Sequence, residues 1–197
     1  MNLYKLTNAA GKTYGGTQWG ENVTNYAVGP REGGLCSSAL IHAYATPPLA
    51  ELCDCIHGCF GESGILWLAE GEVAESGGLK VGCRSLTTLR RMDRKPPTTE
   101  QRVAFGVLSA WTCGDETWRV WARGWLAGKD RTAESATAAE ARAAAVWAAE
   151  ATAAARATER SAEKTDFAAI AEIAMQGQEA WLKYIEENPL PGKEGGA

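Results

Sequence analysis

The chain has 197 residues, enough for one medium domain or for a domain with a helical appendage, and it can bury a core without disulfide or metal staples. A formal net charge of −4 and a pI near 5.3 argue against a chain-wide attraction to anionic lipid or nucleic acid, and no sequence-specific nucleic-acid binding is expected. The N-terminal MNLYKLTNAAGKTYGG lacks the apolar core of an export signal, and no run of about eighteen apolar residues occurs, so no membrane span is expected; the six cysteines then read as reduced thiols in a cytoplasmic protein.

In chain order, Leu3-Tyr4-Lys5-Leu6-Thr7 has the pattern of a short strand, and Asn8-Ala9-Ala10-Gly11 supplies the turn that reverses it. Glycines then punctuate the chain up to Gly34, which favours irregular backbone around two β-favouring pieces, Thr17-Gln18-Trp19 and Val23 to Val28. Residues 34–59 hold both histidines and four of the six cysteines. Within them, a two-residue period over Leu40–Tyr44 puts Leu40, His42 and Tyr44 on one strand face. Thr46 then caps a short helix with Pro47 and Pro48 in its first turn. Ile65–Val73 is the strongest strand signal, and a loop at Glu75–Gly78 turns it into a second strand over Leu79–Met92, which reads as one hairpin. Two prolines, Pro96 and Pro97, end the β-rich part.

Beyond them the pattern is helical. Thr98-x-x-Gln101 has capping-box spacing before a first helix, and Asp115 can cap a second in which Trp118, Trp121, Trp125 and Leu126 share a face. Thr132–Lys164 is nearly half alanine and is expected as one long helix of about 50 Å, packing on another alanine face, such as that of a second subunit, or standing out as a spacer. Asp166 opens a last helix to about Ile185, and Asn188 onward is a frayed tail. The expected fold class is therefore α+β: a mostly antiparallel β module with a short helix over 1–95, a helical pair over 98–128, an Ala-rich and a C-terminal helix over 132–187, and a tail over 188–197.

Four groups of residues can carry chemistry. Cys53-x-Cys55-x-His57-x-Cys59 concentrates soft-metal ligands, but structural zinc uses two separated C-x₂₋₄-C pairs, and Cys36, Cys83 and Cys113 supply no second pair; no metal and no cofactor is expected. A cysteine nucleophile with His42 or His57 as its base lacks any local signature. His42 and Tyr44, with Trp19 and Tyr26 upstream, suit a stacked nucleotide, and they are the catalytic candidates if the chain is an enzyme. Lys80, Arg84 and Arg90 share strand parity and form a candidate phosphate-binding patch. On the helices, Trp118, Trp121 and Trp125 fit either a core or a partner-binding surface.

The segments YKLTNAAGKTYGGTQWGENVT, LCSSALIHAY, PPLAEL, IHG, LWLAEGEV, GLKVGCRSLTTLR, TTEQRVAFGVL and WLAGKDRTAESA together resemble the DUF7666 family of phage and prophage proteins over most of residues 3–131. GLKVGCRSLTT and IHAY are the most specific pieces, and Leu52-Cys53-Asp54-Cys55 departs from the pattern. The resemblance implies a phage context, hence the host cytoplasm, and no catalytic residue. The expected function is recognition: an accessory protein that binds a host protein or a small anionic, nucleotide-like metabolite and so interferes with a host defence, with a homo-oligomer formed through the alanine helix. The alternative is a small nucleotide-handling enzyme, similar to an ADP-ribosyltransferase, using His42, Tyr44 and an acidic partner among Glu70 and Glu72.

Overall fold

A computed structural model describes residues 1–30, 32, 34–35, 37–54, 58–112, 116–132 and 165–189. The fold is α+β, with two antiparallel sheets and five helices among the described residues. Residues 1–97 with 166–171 form one compact unit, and residues 98–165 with 172–197 form another.

The first unit is built on strands β1 (Asn2–Thr7), β2 (Val23–Tyr26), β3 (Ile41–Ala43), β4 (Ile65–Glu70), β5 (Val73–Ser76), β6 (Val81–Cys83) and β7 (Ser85–Met92). One sheet has the order β1-β4-β7-β2 and the other β3-β6-β5. The expected hairpin is present, but each of its arms is two strands: β4 pairs with β7 in the first sheet and β5 with β6 in the second. Leu79–Met92 is thus corrected from one strand to β6 and β7, which part at Arg84. At the crossing on the other arm a side chain on Gly71 would meet the Ser85 carbonyl at 2.7 Å, so only glycine lets the two arms approach there. The sheets also meet at Tyr44, which follows β3 and exchanges two backbone hydrogen bonds of 2.9 Å with Tyr4 of β1.

Between them lies a core of Leu3, Trp19, Ala43, Ala69, Val81, Cys83 and Leu86. Thr17-Gln18-Trp19 makes a single bridge from Gln18 to Lys12 and no strand, because Gln18 spends its amide on the carbonyls of Ala10 and Trp19 (3.0 Å each) and fixes the Asn8–Gly11 turn. Helix α1 (Pro47–Leu52) starts as its sequence dictates, with Thr46 Oγ1 accepting from Leu49 N and prolines in the first turn.

Past α1, a carboxylate pair organises the chain. Glu51, 2% exposed, takes Arg94 in a fork, Nε at 3.0 Å from Oε1 and Nη2 at 2.5 Å from Oε2, and also accepts from Lys95 N. Asp54 accepts from Phe60 N and Gly61 N and lies 3.8 Å from Arg94 Nη2. Arg94 is thereby the counter-ion of these two carboxylates.

The second unit contains α2 (Thr99–Ser109) and α3 (Glu116–Leu126), each packed on α5 (Gln178–Glu187). The capping box forms, with Thr98 Oγ1 accepting from Gln101 N and Gln101 Oε1 accepting from Thr98 N. Trp125 stacks on Trp181 at 6.3 Å between ring centroids, and Arg131 lies over both rings. Trp118 and Trp125 are 5% and 2% exposed, which corrects their candidacy as a partner-binding surface; Trp121 is half-buried beside Trp118. The single C-terminal helix divides into α4 (Phe167–Gln176) and α5, because Gly177 takes φ +107° and turns the chain. The expected Asp115 cap, nearly all of the Ala-rich helix (133–164) and the tail from 190 lie outside the described residues. No helix among the described residues is long and apolar enough to cross a membrane.

Removing one partner of a buried ion pair leaves the other charge desolvated, at a cost of about 3–5 kcal/mol. Arg94→Met is therefore expected to lower the stability of the first unit by that amount in urea unfolding, whereas Arg90→Ala, at an exposed site on β7, stays within about 0.5 kcal/mol of wild type.

Candidate functional site

The site is laid out by strand alternation in β1. Leu3, Lys5 and Thr7 point to one face, level with Ala69, Trp67 and Ile65 of β4, so the Lys5 stem runs among buried side chains. Its Nζ donates to the His42 carbonyl at 2.6 Å and stands 5.3 Å above the Trp19 ring. Trp19 is itself fixed, Nε1 donating to Thr13 Oγ1 at 3.0 Å and its backbone N–H to Gly11 O at 2.7 Å. Among the described residues no carboxylate comes within ion-pair distance of Lys5.

Lys5, Trp19 and His42 line a cavity of about 620 Å³ in the first unit. Leu40, Ile41, Tyr44 and Phe60 give it an apolar wall, and Ser37 and Ser38 add hydroxyls. The cavity also reaches Tyr14, Tyr26 and Val28, which are 99%, 73% and 92% exposed and form an apolar rim.

Burial is the first cause of each electrostatic shift here. It pulls the Lys5 ammonium down to about 8; Cys83 opposes and Lys80 adds to the effect. His42 is lowered for the same reason, against a hydrogen bond to Leu35 O that favours its charged form, with Lys80 and Lys5 lowering it further. Because a carbonyl only accepts, His42 Nε2 carries the proton in that bond, and neutral His42 keeps Nδ1 as its acceptor. Cys83 is raised by burial, with Lys5 acting the other way. Among the described residues Asp54 is the one carboxylate on the lining, and its oxygens are already engaged by Phe60 N, Gly61 N and Arg94.

Of the residues singled out in the sequence, Trp19, His42 and Tyr44 come together on this cavity, and Lys80, Arg84 and Arg90 do not line it. Their shared parity fails for two reasons. The strand changes sheet at Arg84, and a bulge in the β4–β7 pairing moves the register from Leu68↔Arg90 to Ala69↔Thr88. Arg84 Nη1 donates to Ala39 O at 2.6 Å, Arg90 is exposed, and Lys80 acts on Lys5 and His42 through its field. Glu70 and Glu72 are likewise off the lining. Cys36, Cys55, His57 and Cys113 lie outside the described residues; Cys53 and Cys83 are buried, and no group of three or more metal-ligating side chains forms among the described residues. Lys5 and Tyr14 line the cavity and were not among the candidates. Lys5 was marked by its place between Leu3 and Thr7 on one strand face, and Tyr14 by an aromatic next to two glycines in a loop.

Lys5 has a pH signature. Its value near 8 in the folded chain lies below the ordinary 10.5, so between those values the unfolded state binds more protons and stability rises with pH. The stability difference between wild type and Lys5→Met is expected to shift in favour of wild type from pH 7.5 to 9.5 in urea unfolding; a constant difference would refute it. Cys83 contributes in the opposite sense in both chains, and because it loses the lowering effect of Lys5 in the variant, its share of the difference has the same sign as that of Lys5. No protein-family model, curated protein or solved structure matches the chain.

Proposed function

We propose that the chain is a binding protein for a small anionic ligand that carries a flat ring, with nucleotides as the ligand class. The observation that carries this is one cavity combining exposed Tyr14 and Tyr26 at its rim with Lys5 and His42 on its inner wall. Tyrosines offer a ring a stacking surface at small entropic cost, and a buried ammonium lacking a carboxylate favours a ligand that brings negative charge. Taken with the resemblance to phage proteins, the proposal extends to an accessory role in which retention of a host nucleotide blunts a defence that depends on it. The enzymatic alternative, with His42 and Tyr44 as catalytic residues, draws less support. Tyr44 is 7% exposed, His42 Nε2 is occupied by Leu35 O, and neither Glu70 nor Glu72 lines the cavity.

Stacking of a base on an aromatic side chain contributes about 1–3 kcal/mol. In calorimetric titration with nucleoside 5′-monophosphates, Tyr26→Ala and Tyr14→Ala are each expected to weaken binding about tenfold with no loss of fold, since both side chains stand in solvent. Unchanged affinity in the double variant would remove the stacking role.

A further inference from the structure

The geometry points to Lys5 as the single fixed counter-ion that the described residues give this cavity, which makes it a site for a ligand bearing one phosphate monoester and not a di- or triphosphate. The inference rests on the binding function proposed above and narrows it to one class.

Charge supply on the lining is small. Among the described residues Lys5 is the one lysine or arginine on the lining, and none of them places a carboxylate against it. One of its three N–H donors goes to His42 O, and the Trp19 face takes part of its charge, so the ammonium keeps donors to offer an anion. His42 is neutral near pH 7, because burial, Lys80 and Lys5 all act against its charged form. Asp54 is satisfied by two backbone N–H groups and Arg94 and leaves the cavity little negative field. Arg84 is committed to Ala39 O, and Arg90 stands exposed on β7 off the lining. A polyphosphate needs a cluster of cations or a metal ion to offset three or four negative charges, whereas a phosphate monoester carries about two and leaves only about one unmatched beside a single ammonium.

A phosphate beside Lys5 favours the charged amine, and the groups that face it are His42 on β3, Lys80 ahead of β6, Cys83 on β6 and Asp54 after α1. Because the amine without ligand titrates near 8, binding above that pH must draw a proton from solution.

The full chain is titrated calorimetrically with the four nucleoside 5′-monophosphates, their nucleosides and their 5′-triphosphates, at pH 7.0 and 8.5, in buffers of different ionisation heat. At least one monophosphate is expected to bind ten times or more tighter than its nucleoside and no weaker than its triphosphate. Uptake of most of a proton is expected at pH 8.5 and little at pH 7.0, with affinity falling toward tenfold per pH unit above 8.5. Lys5→Met is expected to bring the monophosphate down to the affinity of the nucleoside and to abolish the proton uptake. Equal affinity for monophosphate and nucleoside, a triphosphate preference above tenfold, or binding without proton uptake overturns the role of Lys5 while the binding function stands. Failure of all twelve compounds to bind overturns the binding function and this inference together. Should Lys5→Met not fold, the wild-type proton count decides alone.

Discussion

One long hairpin serving two sheets is the constraint from which the first unit follows. An antiparallel hairpin that stayed in one sheet would leave β3 without a partner and the inner face of β1 open to water. The crossing at Gly71 on one arm and Arg84 on the other sends β5 and β6 to pair with β3, and the two Tyr4–Tyr44 hydrogen bonds tie that second sheet back to β1. Closure then puts Ala43, Val81 and Cys83 of the second sheet against Leu3, Ala69 and Leu86 of the first, with Trp19 between them. Lys5 lies in that enclosure because alternation gives it no other face.

Two half-buried cations of the first unit are treated in opposite ways. Arg94 has a fork from Glu51, the nearby Asp54 carboxylate and the Gly61 carbonyl, and its guanidinium is held charged, above its ordinary range, chiefly by the Glu51 hydrogen bonds. Lys5 has one carbonyl and a ring face, and its charge is correspondingly less secure. The proposed binding function would be served by the second arrangement, since a resident carboxylate would compete with an anionic ligand for the ammonium. The first arrangement fixes structure, here the return of the chain past α1 to the end of β7.

Local chemistry was legible in the sequence where a signal needs only a few neighbouring residues. The Thr46 cap with its prolines, the Thr98–Gln101 box and the Asn8 turn all form, because each satisfies backbone groups within one turn of chain. The α+β class was also legible, from glycine-punctuated β pattern before Pro96 and helical pattern after it. What escaped depends on long-range pairing. Nothing local to Leu79–Met92 announces that its strand changes sheet, and a parity argument carried across such a break assigns Arg84 and Arg90 to a patch they do not form. Arg94 and Glu51 stand 43 residues apart, so nothing local to Arg94 announces the carboxylate that holds it. The tryptophans of α3 were ambiguous between core and surface until Trp181 and Trp111 supplied their partners.

Lys5 shows how such a miss arises and what it implies. A lysine between Leu3 and Thr7 breaks the inward apolar pattern of a strand, and a strand with one face buried has no register that exposes it without exposing Leu3 as well. Leucine or methionine at position 5 would complete the core without any desolvation of charge. The chain instead holds an amine whose charged form burial disfavours, beside a cavity edged by two solvent-facing tyrosines that also contribute nothing to the core. The ligand proposed above would account for all three together, by supplying negative charge to the amine and a ring to the tyrosines. Separately, none of them is explained by the packing of the unit that contains them.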